Sequence, residues 1–135
     1  AHVERVVAIG IRAIRTRRED WEASKRDGNA IIPAHEIRAK GVDAFTPALP
    51  KGRDVYVTFD IDGMDASLAP GTGTPEVGGL QYEEARRFLE LVIGANRLVG
   101  FDLVEVNPAF DAGQITGLLS AQLMIEAMGF AFARR

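Results

Sequence analysis

A chain of 135 residues, 47% hydrophobic and 26% charged, has enough apolar content for one packed core and too little charge excess for disorder. Its formal net charge of -3 argues against a general nucleic-acid binder. With no cysteine there is neither a disulfide framework nor a thiolate metal site, so Asp, Glu or the two histidines, His2 and His35, would have to hold any metal. No charged-then-apolar leader stands at Ala1. The most apolar segment, 118–132, is interrupted by Gln122 and Glu126 and is short for a membrane span. The expectation is a cytoplasmic protein with neither nucleic acid nor membrane as partner.

In chain order, residues 3–11 read as a largely buried strand. The basic cluster Arg12, Arg15, Arg17 and Arg18 is diluted at once by Glu19, Asp20 and Glu22, the pattern of a solvated helix start rather than a phosphate patch. A helix is expected over 17–26, with Thr16 and Glu19 as a capping box and Asp27-Gly28-Asn29 as its stop. Residues 30–32 suit a short strand closed by Pro33, 36–40 a helical turn halted by Gly41, and 42–53, with two prolines and a glycine, mostly loop. The central strand is predicted over 54–62 and runs on into a long Gly- and Pro-rich loop to Leu80. A helix over 81–96 places Ala85, Phe88, Leu89 and Val92 on one face. A strand over 98–106 ends at Asn107-Pro108. The last helix, from 111–114 to about 132, is apolar nearly all round, so it is expected to be buried on both sides, by the sheet and by another element or chain. Alternating apolar strands and helices predict a parallel sheet flanked by helices, here looking incomplete.

The chemistry gathers at the end of the central strand. Strand side chains alternate faces, so Asp60 and Asp62 are expected to project the same way where the apolar run stops. Carboxyl ends of parallel strands are where open α/β sheets place ligands. Two carboxylates in a poorly solvated cleft repel each other, and a hard divalent cation relieves that repulsion. The bland alternative is a pair of solvated loop acids.

The residues beyond the two acids decide between these readings. Phe59-Asp60-Ile61-Asp62-Gly63-Met64-Asp65, then Ala69-Pro70-Gly71-Thr72-Gly73-Thr74-Pro75-Glu76 with Gly78-Gly79-Leu80, resembles the ureohydrolase family of agmatinases, guanidinobutyrases and arginases. A second block, Gly100-Phe101-Asp102-Leu103-Val104-Glu105-Val106-Asn107-Pro108 with Asp111 and Thr116, is similar to that family's later strand and helix. The resemblance covers nearly the whole chain and corresponds to the carboxyl-terminal part of a ureohydrolase, so residues 1–135 are expected to be a single such portion. It implies an α/β fold, arginase-like, with three α-β-α layers around a mainly parallel sheet, and a binuclear Mn2+ site that this chain completes only in part. By that analogy the catalytic acids are Asp60, bridging the two metals, and Asp62, ligating one. Glu105 would accept hydrogen bonds from the substrate guanidinium, and Thr74 would lie beside the metal-bound hydroxide. Residue types agree with this chemistry: carboxylates suit manganese, and a planar cation suits a carboxylate.

Two departures from the family pattern stand out. Ala66 occupies a position that is usually proline and is expected to loosen the loop. Neither Gly-Gly-Asp-His nor Asp-x-His-x-Asp occurs, so the family's remaining ligands and its acid/base histidine are missing from this chain. The expected substrate is a small guanidino compound, and the expected partner is a second copy (a homo-oligomer) or a complementing amino-terminal segment. The isolated chain is expected to be inactive.

Other residues have plainer readings. Asp65 is expected to be a turn former bonding backbone amides, and Asp102 to make a structural hydrogen bond. His35 is expected to be exposed in a loop, His2 to be a terminal residue, and Trp21 to serve packing. The glycines around Gly71 and Gly73 precede no Gly-Lys-Ser, so a phosphate cradle is a weak reading. Two other functions compete. One is a non-catalytic remnant acting through association. The other is a phosphotransferase of the haloacid-dehalogenase type, which wants Thr where Met64 stands.

Overall fold

The computed structural model describes residues 3–12 and 17–133. The predicted capping role of Thr16, and with it Arg15 and His2, lies outside them. The regular elements are β1 (Val7–Ile11), α1 (Arg18–Arg26), β2 (Ala30–Pro33), α2 (Ala34–Lys40), β3 (Asp54–Asp60), α3 (Tyr82–Ala95), β4 (Arg97–Val104) and α4 (Ile115–Phe132), with 3-10 turns at Val42–Ala48 and Ile61–Gly63.

The strands are parallel, as expected, and they form two separate pairs. β1 lies beside β2 with Val7 opposite Ala30 and Ile9 opposite Ile32. The predicted strand over 3–11 starts only at Val7, and most of it is half-buried rather than buried, because its flanks carry polar or small residues. Asn29 closes this pair: its side-chain oxygen accepts from the Val6 amide at 2.9 Å. α1 buries none of its residues, and Arg17–Asp20 and Arg18–Glu22 pairs line its solvated face. Trp21 is half-buried, with the Lys25 ammonium 5.1 Å from its ring centroid. α2 is a full helix from Ala34, not only a turn over 36–40, and Gly41 stops it at φ 78°, a conformation that glycine alone adopts freely. His35 is exposed, though on α2 and not in a loop. The segment predicted as loop after it is a 3-10 helix over Val42–Ala48 containing Pro47.

β3 and β4 pair from Asp54 opposite Arg97 to Asp60 opposite Val104, with a bulge that skips Val99. Alternation gives this pair one inward face, Val57, Phe59, Phe101 and Leu103, packed against the core. The core itself includes Phe88, Leu89 and Ile93 of α3 and Leu123 and Ala127 of α4. The inner face of α3 is therefore Ala85, Phe88, Leu89 and Ile93, with Val92 half-buried at its margin. Tyr56, Thr58 and Asp60 stand on the other, exposed face. Asn96 ties the start of the pair together. Its oxygen accepts from the Arg53 amide at 2.9 Å, and its amide donates to the carbonyls of Pro50 and Val92. α4 departs from expectation: one seam, Thr116, Ser120, Leu123 and Ala127, is buried, while the opposite side is open to solvent.

Candidate functional site

The site is built at the carboxyl ends of β3 and β4. β3 ends at Asp60, two residues before the predicted end, because the chain turns there into the 3-10 turn Ile61–Gly63. Asp60 itself caps that turn: its Oδ1 accepts from the Asp62 amide at 3.1 Å. Asp62 thus leaves the strand, and simple alternation no longer places it. The turn brings the two carboxyls together all the same. Partial burial pushes the Asp60 carboxyl above the usual range, and repulsion from Asp62 and Glu105 adds to the rise, although much of the residue remains exposed. Asp60, Asp62 and Glu105 therefore share one neighbourhood of like charge. Thr74 joins it by donating from its hydroxyl to Asp62 Oδ2 at 2.6 Å.

Glu105 stands just past the end of β4 on an unusual backbone. β4 stops at Val104, and Glu105 adopts φ 67°, one of two non-glycine residues at positive φ among those described. Such a conformation costs of the order of 1 kcal/mol in a residue with a Cβ and persists only where the surroundings impose it. Here they do. Beyond Glu105 the chain pairs antiparallel with the long loop, Val106 opposite Thr72, and the Asn107 amide donates to Gly71 O at 2.8 Å. The predicted strand over 98–106 is therefore a strand to Val104, a kink, and a separate bridge.

The loop that carries Thr74 is pinned from three sides. Asp65 accepts from the Ser67 amide, the Ser67 hydroxyl and the Gly78 amide at 2.6–3.0 Å. Bonding from Ser67 foremost brings its pKa down to about 2, as suits the expected turn former. At the far side the Gly71 amide donates to Thr116 Oγ1 at 2.7 Å, while Asp111 accepts from the amides of Thr116 and Gly117. Burial alone would raise the Asp111 pKa; the Gly117 and Thr116 amides outweigh it and hold the carboxyl below its usual value. A Cβ on Gly71 would stand 2.4 Å from Asp111 Cβ, which accounts for the glycine without any phosphate cradle. Ala66 does not loosen the loop as expected. Its amide donates to Glu76 O at 3.1 Å, a bond that proline could not make.

Arg12 is the residue that sequence reasoning missed. It comes directly after β1, and its Nη2 donates to the carbonyls of Asp62, Met64 and Glu76, so it clamps the acid turn to the loop instead of starting a solvated helix. No local pattern signals a contact between residues 50 to 64 positions apart. Asp102 behaves as expected: the Tyr56 hydroxyl donates to its Oδ2 at 2.6 Å.

The donor set at this tip is hard carboxylate oxygen, and the nearby Arg12 guanidinium is spent on backbone carbonyls. Among the described residues, no Lys or Arg ion pair reaches Asp60, Asp62 or Glu105. That suits a hard divalent cation. It is also only part of a metal cage, because among the described residues no group of three or more Asp, Glu or His could hold one.

Known proteins share this arrangement of elements. The family described as "Arginase family" matches residues 1–129. The guanidinobutyrase of Pseudomonas aeruginosa is 40% identical over 128 residues, which is 93% of this chain and 40% of that protein. An agmatinase of Proteus mirabilis is 36% identical over 132 residues, 96% of this chain and 40% of that protein. Among solved structures, proclavaminate amidino hydrolase from Streptomyces clavuligerus superposes with TM-score 0.79 at 35% identity, over 93% of this chain and 41% of that one. The agmatine ureohydrolase of Thermoplasma volcanium gives 0.80 at 33% identity, over 93% and 42%. This chain thus spans about 40% of the length of the curated relatives it matches.

Proposed function

Because this chain belongs to the arginase family, we propose that it carries one side of a manganese centre that hydrolyses the guanidino group of a small linear amine or acid. Agmatine and guanidinobutyrate define the substrate class, since relatives at 36–40% identity bear the names agmatinase and guanidinobutyrase. The observation that carries the reading is that Asp60, at the end of β3, has both Asp62 and Glu105 near enough to oppose its charge, with no side-chain ion pair to any of the three among the described residues.

Asp60 and Asp62 are the residues that would hold the metal, and the Thr74 hydroxyl fixes the rotamer of Asp62 by donating to its Oδ2. Manganese, when bound, lets water act as a nucleophile at neutral pH. Glu105 accepts N–H bonds from the guanidinium and so orients a flat cation, its carboxylate lying near enough to Asp60 to oppose that group's charge. In the overall reaction one water adds to the guanidinium carbon, the bond from that carbon to the substituted nitrogen breaks, and the amine departs protonated, leaving urea. The remaining ligands and the acid/base group come from polypeptide outside this chain, in a cytoplasmic assembly.

Urea release from agmatine, guanidinobutyrate and arginine, measured with added manganese, tests the reading. We expect none from the isolated chain. Turnover should appear when the chain is co-expressed with the part of the Pseudomonas guanidinobutyrase that it does not cover, and Asp60→Asn should abolish it. Robust urea release by the chain alone, or by a complemented Asp60→Asn chain, overturns the assignment.

A further inference from the structure

We infer that Arg12 is a positioning residue for the metal ligand Asp62: from behind the acid turn, without touching the metal, it sets how tightly the tip of β3 holds a divalent cation. The inference rests on the metal site proposed above and adds to it a residue from a distant part of the chain.

β1 is irregular at its end. Its register against β2 shifts between Ile9 and Ile11, and Gly10 between them adopts φ 81°. A bulge of this kind re-aims the side chains that follow it. Gly10 also leaves room for Leu80, whose Cδ1 and Cγ would stand 3.1 Å from a Cβ at position 10. Leu80 closes the loop over residues 64–80: its amide donates to Gly63 O at 2.9 Å, and its carbonyl accepts from the Asp65 amide at 3.0 Å. The end of β1 therefore lies against the acid turn, and Arg12 follows two residues after Gly10.

One nitrogen of Arg12 serves three carbonyls from two segments. Nη2 donates to Asp62 O, to Glu76 O at 3.0 Å and to Met64 O at 3.3 Å. The same two segments are joined a second time, since the Thr74 hydroxyl donates to Asp62 Oδ2 at 2.6 Å. The two links close a ring. Arg12 holds the Asp62 backbone and the loop two residues beyond Thr74, while Thr74 holds the Asp62 carboxylate. With the ring cut at Arg12, turn and loop part, and the hydroxyl no longer meets Oδ2 in one fixed geometry. No carboxylate pairs with Arg12 among the described residues, and its Nε is buried without a partner. An unpaired buried donor is costly, so the bonds at Nη2 are what keep the guanidinium there.

Charge and geometry act in opposite directions at this residue. As a cation beside the acids, Arg12 repels an incoming divalent metal, and losing that charge alone would tighten binding. As a clamp it holds a ligand ready, and partners behind a ligand are typically worth about 10- to 100-fold in metal affinity. Arg38 supplies a control. Its Nη2 donates to Gly79 O of the same loop at 2.8 Å, with no bond to the acid turn among the described residues.

Manganese titration of the isolated chain measures the effect, followed by loss of the free-ion electron paramagnetic resonance signal and by broadening of the Asp60 and Asp62 amides. We expect Arg12→Met to weaken binding about tenfold and Thr74→Val to weaken it too. The double variant should be no weaker than about twice the worse single one, because both changes cut one ring. Arg38→Met should lower stability but keep the dissociation constant within about twofold of the parent's, as for a site it does not share. Arg12→Lys, which keeps the charge on a shorter stem and serves where Arg12→Met does not fold, should weaken binding at least about threefold. Equal or tighter binding by Arg12→Met, or by Arg12→Lys in its place, overturns the inference. So do additive effects in the double variant, or an equal loss in Arg38→Met. These results leave the metal assignment standing, whereas a parent chain that takes no manganese at this tip overturns that assignment and the inference with it.

Discussion

At Asp60 the folded chain holds a proton more tightly than the unfolded chain does, since partial burial, Asp62 and Glu105 all disfavour its charge. For a carboxyl raised in the folded state, stability falls as pH climbs through the interval between its ordinary and its raised value. Asp60→Asn should therefore stabilise the metal-free chain at neutral pH, by no more than about 1 kcal/mol given the solvent screening at an exposed residue, and should do nothing at pH 3. Urea denaturation at the two pH values checks this; equal effects at both would remove the electrostatic explanation. Asp65 has the opposite sign. Its folded pKa of about 2 lies below the usual 3.8, so its contribution is present above pH 4 and is lost as pH falls from there towards 2. Asp65→Ala should cost about 2 kcal/mol through the lost charged hydrogen bonds and should flatten the acid limb of the stability curve. Glu105→Gly tests the kink: relief of the positive φ should stabilise the chain by about 1 kcal/mol while removing the carboxylate proposed to hold the guanidinium. A loss of stability on thermal unfolding would show that the Glu105 side chain supports the fold.

At the scale of elements, the loop over residues 64–80 is a braced part rather than a tether. Gly71→Ala should destabilise by about 1–3 kcal/mol, because its Cβ would overlap Asp111 in a buried corner that cannot yield. Chemical denaturation measures this, and a neutral result would mean that the corner relaxes. These braces also mark the limit of what is legible in the sequence. The apolar runs show where β3, α3 and β4 lie, because burial on one face dictates their periodicity. The end of β3 is not legible. It depends on the Asp60 side chain capping its own turn, which reads in the sequence like two more strand residues. The kink at Glu105 carries no glycine to announce it, and the clamp from Arg12 joins segments that only the folded chain brings together. Strand alternation predicts that Asp60 and Asp62 meet, for a reason that holds only in part: the 3-10 turn brings the two acids together.

At the scale of the whole molecule, the structure is one core with unfinished borders. The predicted parallel sheet is present as two separate pairs, and the helix expected to be buried on both sides is buried on one. Both departures fit a chain that supplies about 40% of its relatives' length. A helix apolar nearly all round is visible in a sequence, but which of its sides the fold covers is not. The central claim is that the tip of β3 is where a divalent metal lands. Manganese relaxation enhancement, read as selective broadening of amide resonances in the isolated chain, tests it most directly. Broadening should centre on Asp60, Ile61 and Asp62 and extend to Thr74 and Glu105, and Asp60→Asn with Asp62→Asn should abolish it. Broadening centred on Asp65, Asp111 or the acids of α1, or spread evenly over the surface, would contradict it.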